Sequence, residues 1–383
     1  MNEVLIVAAE ASSSLYALRL LQHWKAADVP VSAFGIGSRN MEAHGFEVLG
    51  RSEDMAVVGL QEVVAHYPRI RRTFFRLLEE ARRRKPKVAV LLDYPEFNLR
   101  LAKKLKALGI PVVYYISPQI WAWRTSRVNI VRAHVAKMLV IFPFEKAFYE
   151  KHNAAVEFVG HPLLDEVAEI APTPEATARR RAELGFKPGD VVLALMPGSR
   201  HSEIKHHLAV QMDAARRLKS EFPDLKLMLP VAPTLDEAEI RSAMADSGLE
   251  ITYIKDEPFS MIALADVVLC ASGTATLQVG LLGKPMVIMY RMSKLTVFLA
   301  RWIMKRPAHF GLINLILGER VAPELFQGEA TPEAMAGLLS PLIRSAEARR
   351  DMAARLVRCR ELLGSRGATA RVAAALQPYL DRP

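Results

Sequence analysis

The chain has 383 residues, of which 51% are apolar and 24% are charged, and this is enough material for two α/β domains with separate cores. No window reaches the roughly 18 uninterrupted apolar residues that a membrane-spanning helix needs, and no basic segment precedes an apolar run at the N-terminus. The formal charge of +10 favours an anionic partner, but no helix-turn-helix, zinc-finger or RNA-recognition signature indicates nucleic acid. We therefore expect a soluble or peripheral cytoplasmic protein.

The first half of the chain alternates apolar strand candidates with helix candidates, a pattern typical of a doubly wound parallel sheet. The strand candidates are residues 4–9, 31–35, 88–92, 112–116, 138–141 and 156–159. The loop after the first strand, Glu10 to Ser14, is built of small residues that can present N–H groups to an anion. It lacks glycine, so it is a weak phosphate loop.

Residues 55–85 form a helix candidate in which the apolar segment MAVVGLQEVVAHY precedes the basic segment RIRRTFFRLLEEARRRKPK. One interpretation is a membrane interface, where apolar side chains enter the headgroup region and arginine meets lipid phosphate. The other is an amphipathic helix with its apolar side on the core, and the residues alone favour it. The candidate membrane and acyl-chain residues are Val57, Val58, Leu60, Val63, Val64, Arg69 and Arg72.

Asp93 directly follows the run VAVLL, whose lack of polar alternation predicts a strand covered on both faces. In open α/β sheets ligands bind at the carboxyl ends of the strands. Pro95 predicts a turn there with an extended residue before it, Tyr94. Asp93 and Glu96 are therefore both candidates for a general base at the edge of a cleft.

The alternation stops at Gly160-His161-Pro162 and restarts after residues 171–174. The second set of strand candidates is residues 191–196, 225–230, 251–254, 267–270 and 286–290. The prediction is an α/β protein with two Rossmann-like doubly wound domains facing one cleft. We place a first domain at 1–168, a second domain at 169–345, and C-terminal helices at 346–383 that can return to the first domain.

Two turns of the second half lie between a strand and a helix, and each is rich in small residues. Pro197-Gly198-Ser199-Arg200 offers close backbone approach, a helix N-terminus and a guanidinium for a diphosphate. The segment from Ala271 to Gln278 (ASGTATLQ) has the same character. Each turn alone is weak evidence, but together in one domain they favour a nucleotide-sugar site.

The residues argue against a metal ion in this site. No Asp-x-Asp occurs in the chain, and His201, His206 and His207 lack a carboxylate or cysteine at ligand spacing. We predict that these histidines lie on a solvated basic helix face. Cys270 and Cys359 form no metal or redox motif either, which predicts two buried thiols.

Residues 293–310 (SKLTVFLARWIMKRPAHF) form a second apolar and basic helix candidate, which suits either core packing or a lipid surface. Asn314 and Gln327 follow and supply amide groups that can line the same cleft.

Together these motifs resemble the bacterial lipid-A-disaccharide synthases, metal-independent inverting glycosyltransferases of the GT-B architecture. The resemblance runs over nearly the whole chain, in order. The matching motifs are Asp93-x-Pro95-x-Phe97-Asn98, Ser117 to Arg124 (SPQIWAWR), Phe142-Pro143-Phe144-Glu145, Gly160-His161-Pro162, Pro197 to Arg200, Ala271 to Ala275 and Asn314-Leu315. The Trp-Ala-Trp-Arg loop is the most specific of them.

The resemblance implies transfer from UDP-2,3-diacylglucosamine to 2,3-diacylglucosamine 1-phosphate at the inner face of the inner membrane, with no metal and no cofactor besides the donor. It assigns Asp93 as the general base and leaves Glu96 to orient the turn or Asn98. It also makes residues 55–85 a membrane and acyl-chain surface. The implied acceptor and cleft residues are Glu10, Ser12, Asn98, Trp123 and Arg124, and the implied UDP-sugar ligands are Ser199, Arg200, Ser272, Gly273, Thr274, Gln278, Asn314 and Gln327.

The chain departs from the family pattern at three places. The first loop reads AEASSS where the family has Gly-Glu-x-Ser-Gly-Asp, and Glu96 stands in the second acidic position of the Asp93 motif. Gln278 replaces a glutamate that can accept both ribose hydroxyls, and with one acceptor oxygen it predicts weaker nucleotide binding.

Two alternatives remain open from the sequence. The first is another cytoplasmic UDP-sugar enzyme on the same scaffold, either a hexosamine 2-epimerase or a transferase with a different acceptor. The second is a non-catalytic relative that binds a nucleotide sugar or a lipid. The apolar and basic segments favour a lipid substrate over a soluble epimerase, and Asp93 favours an enzyme over a binding protein.

Overall fold

A computed structural model of the chain describes residues 2–55, 60–121, 124–232, 235–244, 247–292 and 309–382, without the side chains of residues 11, 53–54 and 60–66. The chain forms two compact units. The first comprises Met1–Pro162 and Leu363–Pro383, and the second comprises Leu163–Leu362.

The first unit contains a parallel sheet in the order β3-β2-β1-β4-β5-β6-β7. Its strands are β1 (Asn2–Ala8), β2 (Val31–Gly37), β3 (Glu47–Arg51), β4 (Val88–Leu92), β5 (Val112–Tyr115), β6 (Lys137–Val140) and β7 (Val156–Phe158). Every residue of β4 is buried, as the unbroken apolar run predicts for a strand between two helical layers. The order reverses between β1 and β4, and Ala8 is paired with Leu92 there, so their carboxyl ends flank the topological switch point.

Helices cover both faces of this sheet. They are α1 (Ala11–Ala26), α2 (Arg39–Glu42), α3 (Ser52–Met55), α4 (Leu60–Arg84), α5 (Pro95–Ala107), α6 (Val128–His134), α7 (Pro143–Lys151) and, from the end of the chain, α18 (Ala368–Leu380). The last helix packs on α1 and β4.

The second unit contains a parallel sheet in the order β10-β9-β8-β11-β12-β13. Its strands are β8 (Val192–Met196), β9 (Lys226–Pro230), β10 (Thr252–Ile254), β11 (Val267–Ala271), β12 (Met286–Tyr290) and β13 (Glu324–Phe326). The order reverses between β8 and β11, where Met196 is paired with Cys270. Both predicted diphosphate turns follow these two strands, so they flank the switch point of this sheet.

The helices of the second unit include the long α10 that follows β8. The set is α8 (Leu163–Ile170), α9 (Pro174–Glu183), α10 (His201–Glu221), α11 (Glu237–Met244), α12 (Pro258–Ala263), α13 (Ala275–Leu281), α14 (Leu312–Leu317), α15 (Pro332–Arg344), α16 (Ala346–Leu356) and α17 (Cys359–Leu362). As predicted, Cys270 and Cys359 are buried free thiols, and burial raises the pKa of each to about 12.

The unit boundaries differ from the predicted 1–168, 169–345 and 346–383. Helix α8 packs on α12 and α13, so the second unit begins at Leu163. Helices α16 and α17 pack on α13, α14 and α15, so only the chain after Leu362 belongs to the first unit.

The Gly160-His161-Pro162 motif is held by the last segment of the chain. Arg371 donates to the carbonyl oxygens of Val159 (2.8 Å) and Ser365 (2.6 Å). Gly160 has φ +76°, and a Cβ there would lie 2.6 Å from the Arg371 guanidinium. The glycine is therefore required for the close approach of α18 to the end of β7.

Candidate active site

Asp93 and Tyr94 form the turn between β4 and α5 and both lie in the left-handed region, with φ +47° and +48°. The extended conformation predicted for the residue before Pro95 is wrong, because Tyr94 has φ 48° and ψ 60°. Consecutive left-handed residues other than glycine cost strain, and such strain persists only where surrounding contacts hold it. Proline then begins α5 without losing a hydrogen bond. This turn sets the position of the half-buried Asp93 at the switch point.

Two buried side chains hold the main chain of Asp93. The Asn98 amide donates to the carbonyl oxygens of Leu92 (3.0 Å) and Asp93 (2.7 Å), and the Tyr114 hydroxyl also donates to the Asp93 carbonyl. Asn98 has no exposed surface. The prediction that Asn98 contacts the acceptor is therefore wrong: its two amide hydrogens are used inside the unit, and it positions Asp93.

Glu96 points away from this network. Its carboxylate accepts from Arg124 at 3.0 Å and from Arg127, and 60% of its side chain is exposed. The bonds join the start of α5 to the segment after β5. Glu96 is therefore a cross-link between two loops, and Asn98 is oriented by main-chain carbonyls instead.

The first loop lies beside the Asp93 turn. Ser13 exchanges two 2.9 Å hydrogen bonds with the main chain of Glu10, and Ser14 donates to the Ala8 carbonyl. The serines that replace the family's glycine and aspartate are thus buried: Ser13 caps α1 and Ser14 binds the end of β1. Glu10 is half-buried and Ser12 is exposed. Burial, and then the charge of Glu10, raises the pKa of the Tyr94 phenol, so this carboxylate acts on the residue next to Asp93.

The segment after β5 is anchored by a buried acid. Glu145, 2% exposed, accepts from the Trp121 indole N–H and from the Phe142 main-chain N–H, both at 3.2 Å. Burial raises the pKa of Glu145 to about 8. Ser117 bonds the Tyr149 hydroxyl at 2.7 Å. The loop is therefore fastened to α7, with Trp121 packed on Phe144, while Trp123 lies outside the described residues.

Helix α4 has two different faces. Leu77 and Ala81 are fully buried, so its inner stripe packs on the core. Arg69 and Arg72 are exposed on this helix, and so are Tyr67 and Phe75, each 55% exposed. The remaining residues predicted for the membrane surface cannot be placed on either face. Val57 and Val58 lie outside the described residues, and the side chains of Leu60, Val63 and Val64 are not described.

In the second unit the turn after β8 is shaped by Glu203. Its carboxylate accepts from the Ser199 N–H at 2.9 Å and pairs with the Arg200 guanidinium at 3.6 Å. Gly198 has φ +126°, and a Cβ there would lie 2.3 Å from Glu203 Oε2. The Ser199 N–H is therefore used within the protein, while the Ser199 side chain and half of the Arg200 side chain are exposed.

His207 lies in the core instead of on a solvated basic face. Its ring bonds the Pro197 carbonyl (2.7 Å) through Nδ1 and the main chain of Arg291 through Nε2, and it has no exposed surface. The prediction for His207 is wrong because the histidine at this position of α10 faces the sheet, where its two ring nitrogens bind two main-chain partners. His207 ties the turn after β8 to the end of β12.

The turn after β11 presents its tip to the surface. Gly273 and Thr274 are exposed, and a Cβ at Gly273 would meet nothing within 4 Å. The Ser272 hydroxyl donates to the Phe310 carbonyl at 2.9 Å. Gln278 is half-buried one turn into α13. These residues lie where the sequence predicted a diphosphate and a ribose.

Asn314 contradicts its predicted role as a ligand of the donor. Its amide donates to the Ala322 carbonyl and to Glu324 Oε1, both at 2.7 Å, and its oxygen accepts from the N–H groups of Val321 and Ala322, both at 3.0 Å. It has no exposed surface. All its hydrogen-bonding capacity is used inside the unit. Asn314 therefore shapes the segment that leads into β13.

Gln327 lies where β13 ends and remains a candidate ligand. It has φ +53°, and its Nε2 is buried without a hydrogen-bond partner among the described residues. A buried amide donor without an acceptor is costly, which marks a place where a bound group would add stabilisation.

Among the described residues, no group of three histidine, cysteine, aspartate or glutamate side chains is arranged to hold a metal ion. None of the helices described is both long and apolar enough to cross a membrane.

Comparison with known proteins gives the chain's relatives. The model of the Lipid-A-disaccharide synthetase family matches residues 4–376. The lipid-A-disaccharide synthase of Myxococcus xanthus is 40% identical over 377 residues, which cover 98% of this chain and 97% of that protein. The lipid-A-disaccharide synthase of Trichlorobacter lovleyi is 42% identical over 381 residues, which cover 100% of this chain and 98% of that protein.

Solved structures resemble the chain in fold. The UDP-GlcNAc 2-epimerase of Neisseria meningitidis, bound to UDP-GlcNAc, superposes with a TM-score of 0.64 at 12% identity and covers 98% of this chain and 100% of that one. The calicheamicin glycosyltransferase CalG4 superposes with a TM-score of 0.59 at 16% identity, and the match covers 100% of this chain and 99% of that one. At these identities the likeness shows the fold alone, and it confirms the predicted pair of Rossmann-like domains of the GT-B class.

Proposed function

The chain belongs to the lipid-A-disaccharide synthetase family, and we propose that it joins UDP-2,3-diacylglucosamine to 2,3-diacylglucosamine 1-phosphate. Family membership makes the protein a glycosyltransferase of lipid A disaccharide synthesis, in lipopolysaccharide biosynthesis. The relatives at about 40% identity are named as synthases, whereas the epimerases share the fold at 11–12% identity. The epimerase and binding-protein alternatives are therefore not favoured.

In the proposed reaction Asp93 takes the proton of the acceptor 6-hydroxyl. The hydroxyl oxygen attacks the anomeric carbon of the donor, the bond from that carbon to the diphosphate oxygen breaks, and UDP leaves with the electron pair. The observation that carries this assignment is the strained turn that places Asp93 at the switch point under two buried hydrogen-bond donors, Asn98 and Tyr114. A carboxylate fixed by its main chain meets the requirement of a general base for a defined position.

The second unit is proposed to bind UDP. Arg200 would meet the charge that develops on the leaving diphosphate, since its guanidinium is exposed and can form two parallel hydrogen bonds. Ser199, the exposed tip of Ser272, Gly273 and Thr274, and the unpartnered amide of Gln327 would supply further contacts. The side-chain oxygen of Gln278 would accept a hydrogen bond from a ribose hydroxyl.

The first unit is proposed to bind the acceptor. Glu10 and Ser12 lie beside the Asp93 turn and suit contacts to sugar hydroxyls, and Arg124 suits an anionic group beside it. Trp123 is proposed to contribute to the same site. The exposed arginines and aromatic rings of α4 support peripheral binding to an anionic membrane at the inner face of the inner membrane, where the acylated substrates lie.

The proposed reaction is tested with purified protein in detergent, incubated with UDP-2,3-diacylglucosamine and 2,3-diacylglucosamine 1-phosphate. We expect one UDP released for each disaccharide 1-phosphate formed, with a β linkage. UDP-GlcNAc is the control donor, because the epimerase alternative predicts UDP-ManNAc from it without an acceptor. Epimerised sugar, or UDP release without disaccharide, would overturn the proposal.

A further inference from the structure

The carboxylate of Glu324 is buried in the second unit, close to the turn that is proposed to bind the diphosphate. Glu324 begins β13 and is 7% exposed. Its Oε2 accepts from the main-chain N–H of Phe310 at 2.8 Å. Its Oε1 accepts from the Gly311 N–H at 2.9 Å and from the Asn314 amide at 2.7 Å. Three N–H donors therefore converge on one carboxylate, which offsets the cost of burying it.

The site requires a carboxylate and not the amide of the same shape. Both oxygens of Glu324 face N–H donors. A glutamine has one acceptor oxygen and one NH2 group, so in either orientation its NH2 group would face a donor. At least one of the three hydrogen bonds would then be lost.

Glu324 holds the segment that leads into α14 against the sheet. A Cβ on Gly311 would lie 2.4 Å from Ile288 Cδ1 and 3.0 Å from Glu324 Oε1, so this close approach requires glycine. The ring of Phe310 stacks on the ring of Phe326, with the centroids 4.5 Å apart and the planes 5° apart. Hydrogen bonds to the main chain and ring stacking together fix the position of Phe310.

The carbonyl oxygen of Phe310 links this segment to the turn after β11. It accepts from the Ser272 hydroxyl at 2.9 Å, and the Ser272 N–H donates to a main-chain carbonyl of β12, also at 2.9 Å. On the other side of the turn, the Thr276 hydroxyl donates to the Gly273 carbonyl at 2.8 Å. Ser272 is therefore held at two points, and one of them depends on the segment that Glu324 fixes.

We propose that Glu324 is a positioning residue for the UDP leaving group and acts on the turn after β11 through Phe310 and Ser272. The exposed tip of that turn, Gly273 and Thr274, follows Ser272 directly. The place of the tip relative to a bound diphosphate therefore depends on where Ser272 is held. This inference rests on the proposed binding of UDP by the second unit.

The test measures UDP binding to the full-length protein by isothermal titration calorimetry. Glu324→Gln should weaken UDP binding about tenfold, because the turn is no longer held in the place that suits the diphosphate. In the disaccharide assay the same variant should raise the donor KM and leave the acceptor KM unchanged. The reason is that its three hydrogen-bond partners all belong to the second unit.

Asp266→Asn is the matched control in the same unit. Asp266 Oδ2 accepts from the Val192 N–H at 2.8 Å and pairs with Arg181 at 3.0 Å. Asp266 directly precedes β11, whereas Ser272 directly follows it, so the two lie about 20 Å apart along the strand. Asp266→Asn should unfold at a lower urea concentration than the wild type, but it should bind UDP with the wild-type affinity.

A double variant tests the route from Glu324 to the turn. Ser272→Ala removes the hydroxyl that binds the Phe310 carbonyl and should also weaken UDP binding about tenfold. Both changes break the same chain of contacts. The double variant should therefore also lose about tenfold, and not the hundredfold or so that two independent effects would give.

Three results would overturn the inference while the wild type binds UDP. The first is wild-type UDP affinity in a folded Glu324→Gln variant, which would leave the carboxylate a role in stability alone. The second is an equal loss of affinity in Asp266→Asn, and the third is a loss of about a hundredfold in the double variant. Failure of the wild type to bind UDP is a different outcome, because it would refute the proposed function and the inference together.

Discussion

From inside the core, the side-chain amide of Asn98 donates a 2.7 Å hydrogen bond to the main-chain carbonyl of Asp93. The Tyr114 hydroxyl shares that acceptor. The proposed base is thus held in position through its main chain. A left-handed turn without glycine persists here because both buried donors bind the Asp93 carbonyl, and this bond would be lost if the turn relaxed.

The first prediction concerns this support. We expect Asn98→Ala to lower kcat about a hundredfold, because a shift of the base by about 1 Å has that effect, and to lower the free energy of unfolding by about 1–3 kcal/mol. The position of the acid limb of the pH–rate profile should not change, since the Asp93 carboxylate is intact. Steady-state kinetics across pH and urea unfolding measure both.

A pair of tyrosine variants provides the matched control. Tyr114→Phe loses a buried hydrogen bond to Asp93, and Tyr149→Phe loses one to Ser117. Each should lower the free energy of unfolding by about 1 kcal/mol. Only Tyr114→Phe should lower kcat by more than about fivefold. Equal kcat values for the two would refute the positioning role of Tyr114.

The second prediction concerns the ribose. Gln278→Glu adds acceptor capacity for a second ribose hydroxyl, so UDP should bind about tenfold more tightly, or about 1.4 kcal/mol. Isothermal titration calorimetry measures the change. UDP lacking the 2′- and 3′-hydroxyls should show no gain. If the gain persists with the dideoxy nucleotide, Gln278 does not face the ribose.

The third prediction concerns stability against pH. Burial raises the pKa of Glu145 to about 8, from 4.5 in the unfolded chain, so between these values the folded protein binds the extra proton. The contribution of protonated Glu145 to the free energy of unfolding is fully present below pH 4.5. It is lost as the pH rises toward 8, by up to about 5 kcal/mol. Glu145→Gln should remove this loss, so its advantage over wild type in urea unfolding should grow from pH 5 to pH 8.

Glu96→Gln is the control for that experiment, because it makes the same chemical change at a side chain that is 60% exposed and lies outside the core. The opposite effect of His161, whose pKa burial lowers to about 3, is shared by all three proteins and cancels in the comparison. An advantage of Glu145→Gln that is constant with pH would show that Glu145 titrates normally.

The sequence predicted the parts of the fold that depend on uninterrupted apolar runs. Strands such as β4 and β11 carry no polar residue, because a strand that is buried on both faces has apolar side chains at every position. Two edge strands lack such a run: β3 (EVLGR) and β13 (ELF) are short and mixed in polarity, and neither was predicted.

The sequence predicted where the site residues lie in the fold better than it predicted what their side chains contact. Asp93 and the two turns of the second unit follow their strands as expected, because the carboxyl edge of a parallel sheet is set by topology. Asn98 and Asn314 were predicted to contact substrates and His207 to lie on a solvated helix face, although each is buried against main-chain groups. A polar residue in a motif does not reveal whether its partner is a ligand or a distant loop of the same chain. The three-dimensional register decides that.

The most direct test of the central claim compares kcat for disaccharide formation in Asp93→Asn and Glu96→Gln, the two carboxylates of one turn. Loss of a general base should lower kcat by about 10²–10⁴-fold in Asp93→Asn. Loss of an exposed ion pair should leave Glu96→Gln within about fivefold of wild type. An Asp93→Asn enzyme with the wild-type rate, or a Glu96→Gln enzyme impaired as severely, would contradict the assignment of Asp93 as the base.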